Sequence, residues 1–331
     1  MISPLPELAT LTHRLTAALS GKGFPGGQVT ILDRKTPPYI STFPYEIVTC
    51  RLADGSKRRL FCKYAAGHNH NAHGHRGGIA YEAKVYRHIL LSLQDSRPLF
   101  HGAHTDKRTG ETWLILEYLD RCIRVKDITP QYKKMPRPLA MVLAARWVGR
   151  FHATYEAHLA RSALSLSFLN QYDVEYYRGW VRRTQEFAGP LNRRFPWLAK
   201  LCKRADELLA PLLAPPLTVI HGEFYTNNLL LRYKSIYPVD WESTAIAAGE
   251  IDLAALTEGH WPVRTVRQCE LEYQRARWPQ GPPASFERKL EAARLYLHFR
   301  WLGDRPDWTI RKTALWRFKQ LQMAAEHMGL V

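Results

Sequence analysis

HGEFYTNN, residues 221–228, lies between two apolar runs, LAPPLTVI (213–220) and LLLRY (229–233). A histidine, a glycine and an acid, with an asparagine five residues after the acid, make a polar island in hydrophobic surroundings. Side chains on such a loop are placed to hold something rather than to pack. A second acid, Asp240, follows the strand-like SIYPV (235–239) and precedes Trp241 and Glu242. Glu223, Asn228 and Asp240 thus put two carboxylates and an amide at the ends of adjacent short strands. A few oxygen ligands, completed by water and phosphate, are the usual way proteins hold Mg2+.

Upstream, the chain has a different character. Leu5 to Leu19 has the spacing of an amphipathic helix, and three strand-like runs follow: QVTILDR (28–34), YEIVTCRL (45–52) and RRLFCKYAA (58–66). ADGSK joins the last two and carries Asp-Gly, a strong hairpin signal. After a polar loop, GHNHNAHGHRGG (67–78), the run IAYEAKVYRHILLSL (79–93) puts Ile79, Tyr86, Ile89 and Leu93 on one helical face. Two more strands are expected around PLFHGAH (98–104) and TWLILEYLD (112–120). From about residue 135 helical patterns dominate, at 138–157, 172–188, 197–213 and in three further runs after 251. Only LTVIH, NLLLRY and SIYPVDW between them read as strands. The plan is α+β and two-lobed: 1–27 a helix and turn, 28–120 a β-rich lobe with one helix, 121–331 a mainly helical lobe.

In the β-rich part, Lys63 alternates with Phe61 and Ala65 on one strand face. Glu82 shares a helical face with Ile79, Tyr86 and Ile89. An acid there is costly unless paired, and a lysine from the neighbouring strand is the natural partner. The plainer alternative is two unrelated surface charges.

Taken in order, these parts resemble the aminoglycoside phosphotransferase and choline kinase superfamily. Its signature is His-Gly-Asp, four residues, Asn, a strand ending in Asp-Trp-Glu, then Gly and Asp-Leu-Ala. The matching segments are HGEFYTNN, VDWE (239–242) and GEIDLAALTEG (249–259). CKY (62–64), YEAKVYR (81–87) and LILEYLD (114–120) supply the strand lysine, the helix glutamate and a hinge-like strand, and GRFHATYE (149–156) resembles the helix before the catalytic loop. The likeness spans roughly residues 28–330. It implies a bilobal protein-kinase-like fold and an ATP- or GTP-dependent, Mg2+-dependent phosphotransferase acting on a hydroxyl of a small molecule, an antibiotic or a metabolite.

The resemblance also implies roles. Lys63, oriented by Glu82, holds the α- and β-phosphates, and Asn228 and Asp240 bind Mg2+. Residues 115–119, with Glu117 and Leu119, form the hinge against the adenine. Glu223 is the base that orients the acceptor hydroxyl, with Asn228 and Asp240 completing the catalytic set. His221 and Asp252 match positions that brace the loop. The nucleotide-covering turn is ISTFP (40–44), where Ser41 and Thr42 can donate to phosphate. One position departs from the pattern: Glu223 stands where Asp is usual. Misplacement by about 1 Å can cost on the order of a hundredfold in rate. Positioning and charge, however, dominate phosphoryl transfer.

Composition narrows the field. The 331 residues carry 47 basic and 30 acidic side chains, a net charge of +17. The basic residues are spread along the chain and read as a solvated surface that favours anionic ligands. Five cysteines form no CxxC pair; Cys50 and Cys62 sit in strand-like runs and read as buried thiols of a reducing compartment. No stretch approaches the roughly 18 apolar residues of a membrane span. A cytoplasmic protein with no membrane partner is expected, taking a nucleotide and a small hydroxyl substrate in preference to nucleic acid.

Other signals are weaker. GKGFPG (21–26) matches a glycine fingerprint but follows a helix and lies far from Lys63, so it reads as a helix stop. His68, His70, His73 and His75 lack cysteine or acid neighbours and read as a solvated loop rather than a metal site. Trp261, Trp301 and Trp308 could cage a quaternary ammonium, though at helical spacing they read first as core. Two rivals stand beside the kinase reading: a nucleotide-binding pseudokinase, marked by Glu223, and an anion- or nucleic-acid-binding protein on the same scaffold.

Overall fold

The structure is a computed structural model, which describes residues 5–19, 27–37, 43–65, 73–93, 96–106, 109–132, 135–161 and 166–331. The chain divides into two compact units. The first takes in Met1–Asn71, Arg76–Ile123 and Tyr237–Glu242, and the second Ala72–His75, Arg124–Ile236 and Ser243–Val331, each as far as described.

In the first unit, β1 (Thr30–Lys35), β2 (Tyr45–Arg51), β3 (Lys57–Ala65), β4 (Phe100–Thr105) and β5 (Thr112–Glu117) form one antiparallel sheet in the order β1-β2-β3-β5-β4. Two helices accompany it, α1 (Leu8–Leu19) and α2 (Gly78–His88). The period-2 alternation of β3 decides which side chains do what. Leu60, Cys62 and Tyr64 turn to the face where Leu11, Leu15 and Leu19 of α1 pack with Val48, Cys50, Trp113 and Ile115. Lys63 points to the opposite face, with Tyr45 and Leu114 as its cross-strand neighbours. The apolar half of the strand thus anchors the sheet and leaves the other half for a charged residue. On the core face Glu46 is fully buried, and its charge is met by Arg34 at 2.6 and 2.8 Å and by the Tyr64 hydroxyl at 2.6 Å. Burial pushes the Cys50 thiol up to about 11 and raises Cys62 further, so both are inert.

The second unit is mainly helical. Its long helix α3 (Arg137–Arg161) packs closely against the helix Val263–Arg277, because a Cβ at Gly149 would stand 2.7 Å from the Tyr273 carbonyl oxygen. Asp173 caps α4 (Val174–Phe187) by accepting the Tyr176 N–H at 2.8 Å. The helix Phe286–Leu302 is buried on most of its circumference and forms the middle of the unit. Two features differ from the sequence reading. The run 197–213 breaks into helices Leu198–Lys203 and Ala205–Leu209 and a 3-10 turn over Ala210–Leu213, where Pro211 cannot continue an α-helix. A strand at Ala245–Ala247 was not expected, since three consecutive apolar residues show no period. It pairs antiparallel with Thr218–Ile220 and parallel with Asn170–Gln171. This small sheet fixes the start of the 221–228 loop.

Candidate functional site

The first unit gathers charge around one ammonium. Lys63 is 5% exposed, and its Nζ donates to Glu82 Oε2 at 2.8 Å and to Asp240 Oδ1 at 2.7 Å. Glu82 uses its other oxygen to accept the Trp241 N–H at 3.2 Å, and the Gly77 N–H donates to the Glu242 carbonyl at 2.8 Å. The Asp-Trp-Glu segment is therefore tied to both the start and the middle of α2. Asp240 adopts a left-handed backbone (φ +68°), a region aspartate tolerates better than most residues. Burial opposes the Lys63 charge, but Asp240, Glu82 and Glu242 outweigh it and hold its pKa well above the usual value. Glu242 is buried, 3.5 Å from the Arg76 guanidinium, and burial together with Asp240 and Glu82 pushes its carboxyl up to about 8.

At the outer end of β5, the Tyr118 N–H donates to the Arg59 carbonyl, so pairing runs one residue past the strand. The Arg59 guanidinium lies 4.3 Å from the Tyr118 ring centroid and pairs with Asp120. Leu119 is buried, and Glu117 Oε2 accepts the Leu99 N–H at 3.1 Å. Glu117 and Leu119 thus lie on an ordered segment.

The second unit builds the 221–228 loop from its backbone outward. Gly222 has φ +82°, and a Cβ there would stand 2.1 Å from the Ser243 carbonyl oxygen; only glycine fits. Asp252, wholly buried, accepts the His221 N–H at 2.7 Å and the Gly222 N–H at 2.9 Å. His152 stands 3.1 Å from the same carboxylate and 3.0 Å from the Tyr273 hydroxyl. The loop then folds on itself: the Tyr225 N–H and the Asn228 side-chain amide both donate to the Glu223 carbonyl, at 2.7 and 3.0 Å. With its NH2 engaged, Asn228 has its amide oxygen left to serve as a ligand.

Glu223 itself is buried and ion-paired to Arg300 through Oε1. Burial opposes the Arg300 charge, but Tyr225, Glu223 and Tyr296 outweigh it and keep the guanidinium protonated. Arg300 Nη1 also donates to the Tyr225 hydroxyl at 3.1 Å, and Trp301 Nε1 donates to the same oxygen at 3.0 Å. Arg300 escaped the sequence reading. Its helix is buried nearly all round, and in so basic a chain one more arginine carries no signal.

One expectation is corrected. His75 is not solvated but 1% exposed, and His73 is half-buried, with its ring packed against Trp180 at 5.3 Å. The tryptophans Trp301 and Trp308 stack at 6.2 Å, but the protein's own guanidinium groups sit at their rings. Arg317 lies 4.8 Å and Arg300 5.3 Å from the Trp301 centroid, Arg305 4.7 Å from that of Trp308, and Arg137 5.8 Å from that of Trp261. Ser41, Thr42, His68, His70 and the GKGFPG stretch lie outside the described residues.

A choline kinase of Streptococcus pneumoniae superposes with a TM-score of 0.59 at 12% identity, covering 96% of this chain and 98% of its own. A choline kinase of Cryptosporidium parvum Iowa II gives 0.59 at 14% identity, covering 98% of both chains. The chain has a kinase-like fold, shared with these choline kinases. A spectinomycin phosphotransferase solved with ADP and spectinomycin shares the kinase-like fold at a TM-score of 0.53 and 11% identity, covering 97% of this chain and 95% of its own. No protein-family profile and no curated protein sequence matches the chain. Among the described residues, no helix is long and apolar enough to cross a membrane.

Proposed function

We propose that the protein is an ATP- or GTP-dependent, Mg2+-dependent phosphotransferase acting on a hydroxyl of a small molecule. The observation that carries this reading is Lys63, a buried ammonium held charged by Glu82 and Asp240 on the face of β3 away from the core. A lysine so placed binds phosphate as a fixed point charge. The donor set also fits Mg2+. Asp240 and Glu242 present carboxylate oxygens within 4.8 Å of one another, and Glu242 Oε2 is buried without a hydrogen-bond partner among the described residues. Asn228 and Asp240 are the proposed ligands, all hard oxygen donors. When bound, Mg2+ neutralises charge on the β- and γ-phosphates.

In the proposed reaction the acceptor oxygen attacks the γ-phosphorus as the bond to the β,γ-bridging oxygen breaks. The nucleoside diphosphate leaves with that electron pair, and the hydroxyl proton passes to the Glu223 carboxylate. Glu117 and Leu119 are proposed to meet the purine base, and Ser41 and Thr42 the phosphates. The guanidinium groups near Trp261, Trp301 and Trp308 weigh against a quaternary ammonium acceptor, because a positive charge already lies beside each ring. The Glu223–Arg300 pair favours a second reading, a nucleotide-binding pseudokinase, since the carboxylate is already engaged.

The test is thermal shift with millimolar ATP or GTP, with and without Mg2+, followed by phosphate transfer across sugars, amino alcohols, nucleosides and antibiotics. A Mg2+-dependent rise in Tm is expected, and Asp240→Ala should abolish it while the fold persists. A parent protein indifferent to both nucleotides would overturn the reading. Binding without transfer would select the pseudokinase.

A further inference from the structure

His75 comes from the glycine- and histidine-rich loop, yet its ring is almost wholly buried in the second unit. Nδ1 lies 2.8 Å from the Tyr176 hydroxyl and 3.0 Å from that of Tyr172, and Nε2 lies 3.5 Å from Glu223 Oε1. Trp180 meets the imidazole edge-on at 5.9 Å, which fixes the plane of the ring. Tyr172 and Tyr176 stack at 3.8 Å, and Tyr176 also shares a hydrogen bond of 2.8 Å with Tyr296.

The Glu223 carboxylate beside Nε2 decides where the imidazole proton sits. Burial raises the pKa of Tyr172, Tyr176 and Tyr296 well above the usual value, so all three remain O–H donors. If Tyr296 donates to Tyr176, Tyr176 to His75 Nδ1, and Tyr172 to the Ser243 carbonyl at 3.3 Å, every proton has an acceptor. His75 then carries its proton on Nε2 and directs it at Glu223. The opposite tautomer would set a nitrogen lone pair against a carboxylate, two acceptors facing each other.

We propose that His75 is a positioning residue for Glu223. Both it and Arg300 act on the same oxygen, Oε1, so the carboxylate cannot turn without giving up both contacts. At 3.5 Å the histidine contact is electrostatic rather than a full hydrogen bond. The inference rests on the phosphotransferase reading for its catalytic meaning, and on geometry alone for the contact itself.

Two measurements test it. In 15N histidine NMR, with His75 assigned from His75→Gln, the parent should show the Nε2–H tautomer, and Glu223→Gln should move the His75 signals. The second is steady-state Mg-ATP hydrolysis, with water as acceptor. His75→Ala should lower kcat by about ten- to a hundredfold, as lost orientation does, with KM for ATP within about twofold. His75→Gln, whose amide N–H reaches the place of Nε2–H, should recover a large part. If His75→Ala does not fold, the Tyr172→Phe, Tyr176→Phe double variant removes the tautomer control and should reproduce the fall in kcat. A kcat unchanged in these variants, a Gln variant no better than Ala, or His75 signals indifferent to Glu223→Gln would each overturn the proposal. A parent that shows the NMR coupling but neither binds nor hydrolyses Mg-ATP or Mg-GTP would leave the contact supported and sink the phosphotransferase reading instead.

Discussion

Glu223 presents its carboxylate to a guanidinium that keeps its charge, and the pair governs what substitution there should do. Glu223→Gln preserves size and most hydrogen bonding but removes the charge. It should keep nucleotide affinity and lower transfer by about a hundredfold, the range a positioned base supplies. Glu223→Asp is the sharper comparison, measured as kcat on the true acceptor beside Kd for Mg-ATP. The shorter side chain withdraws from Arg300, leaving a buried charge poorly met, and should also be slower than the parent. A faster Asp variant would favour the pseudokinase. At this scale the sequence was legible where a residue contradicted its surroundings. Glu82 on an apolar helical face demanded a partner, and Lys63 is that partner at 2.8 Å. Arg300 contradicted nothing, and its partner lies 77 residues away.

The loop between the strand Thr218–Ile220 and the turn Thr226–Asn228 is held by its own backbone and by Asp252, near the start of the helix Glu250–Leu256. Gly222 is the residue on which this element depends. Gly222→Ala combines a positive φ with a Cβ driven into the Ser243 carbonyl, and should cost about 2 kcal/mol or more. Gly222→Asn should fare little better, because asparagine tolerates the dihedral but not the collision. Denaturant midpoints for the two variants check this. Elements with a clear period were readable from sequence, including all five strands of the first sheet. The strand Ala245–Ala247 was not, because its pairing comes from neighbours 25 and 75 residues upstream rather than from its own pattern.

For the whole molecule, buried histidines set an acid limit. Burial, with Arg317 alongside, pushes His298 down to about 3, and burial also lowers His152. Between that value and the unfolded pKa near 6.5 the unfolded chain binds a proton that the folded chain refuses. Stability should therefore fall as pH drops below about 6.5, by up to about 1.4 kcal/mol per pH unit from His298 alone. Urea midpoints between pH 7 and 4.5 should decline less steeply in His298→Asn than in the parent. An equal slope would mean the ring titrates normally. The α+β plan was legible from the shift between period-2 and helical patterns. The membership of Tyr237–Glu242 in the first unit was not, since nothing in SIYPVDW marks it as a companion of residues far upstream.

That membership has a consequence during synthesis. Lys63 leaves the ribosome 177 residues before Asp240, and Glu82 waits 159 residues for Trp241. The β-rich unit can form its sheet early, but its ammonium and its helix glutamate acquire their final partners only after most of the helical unit has been translated. A nascent chain paused short of residue 240 therefore carries a lysine held by Glu82 alone, and the charge cluster around Lys63 is completed late although its lysine is made early.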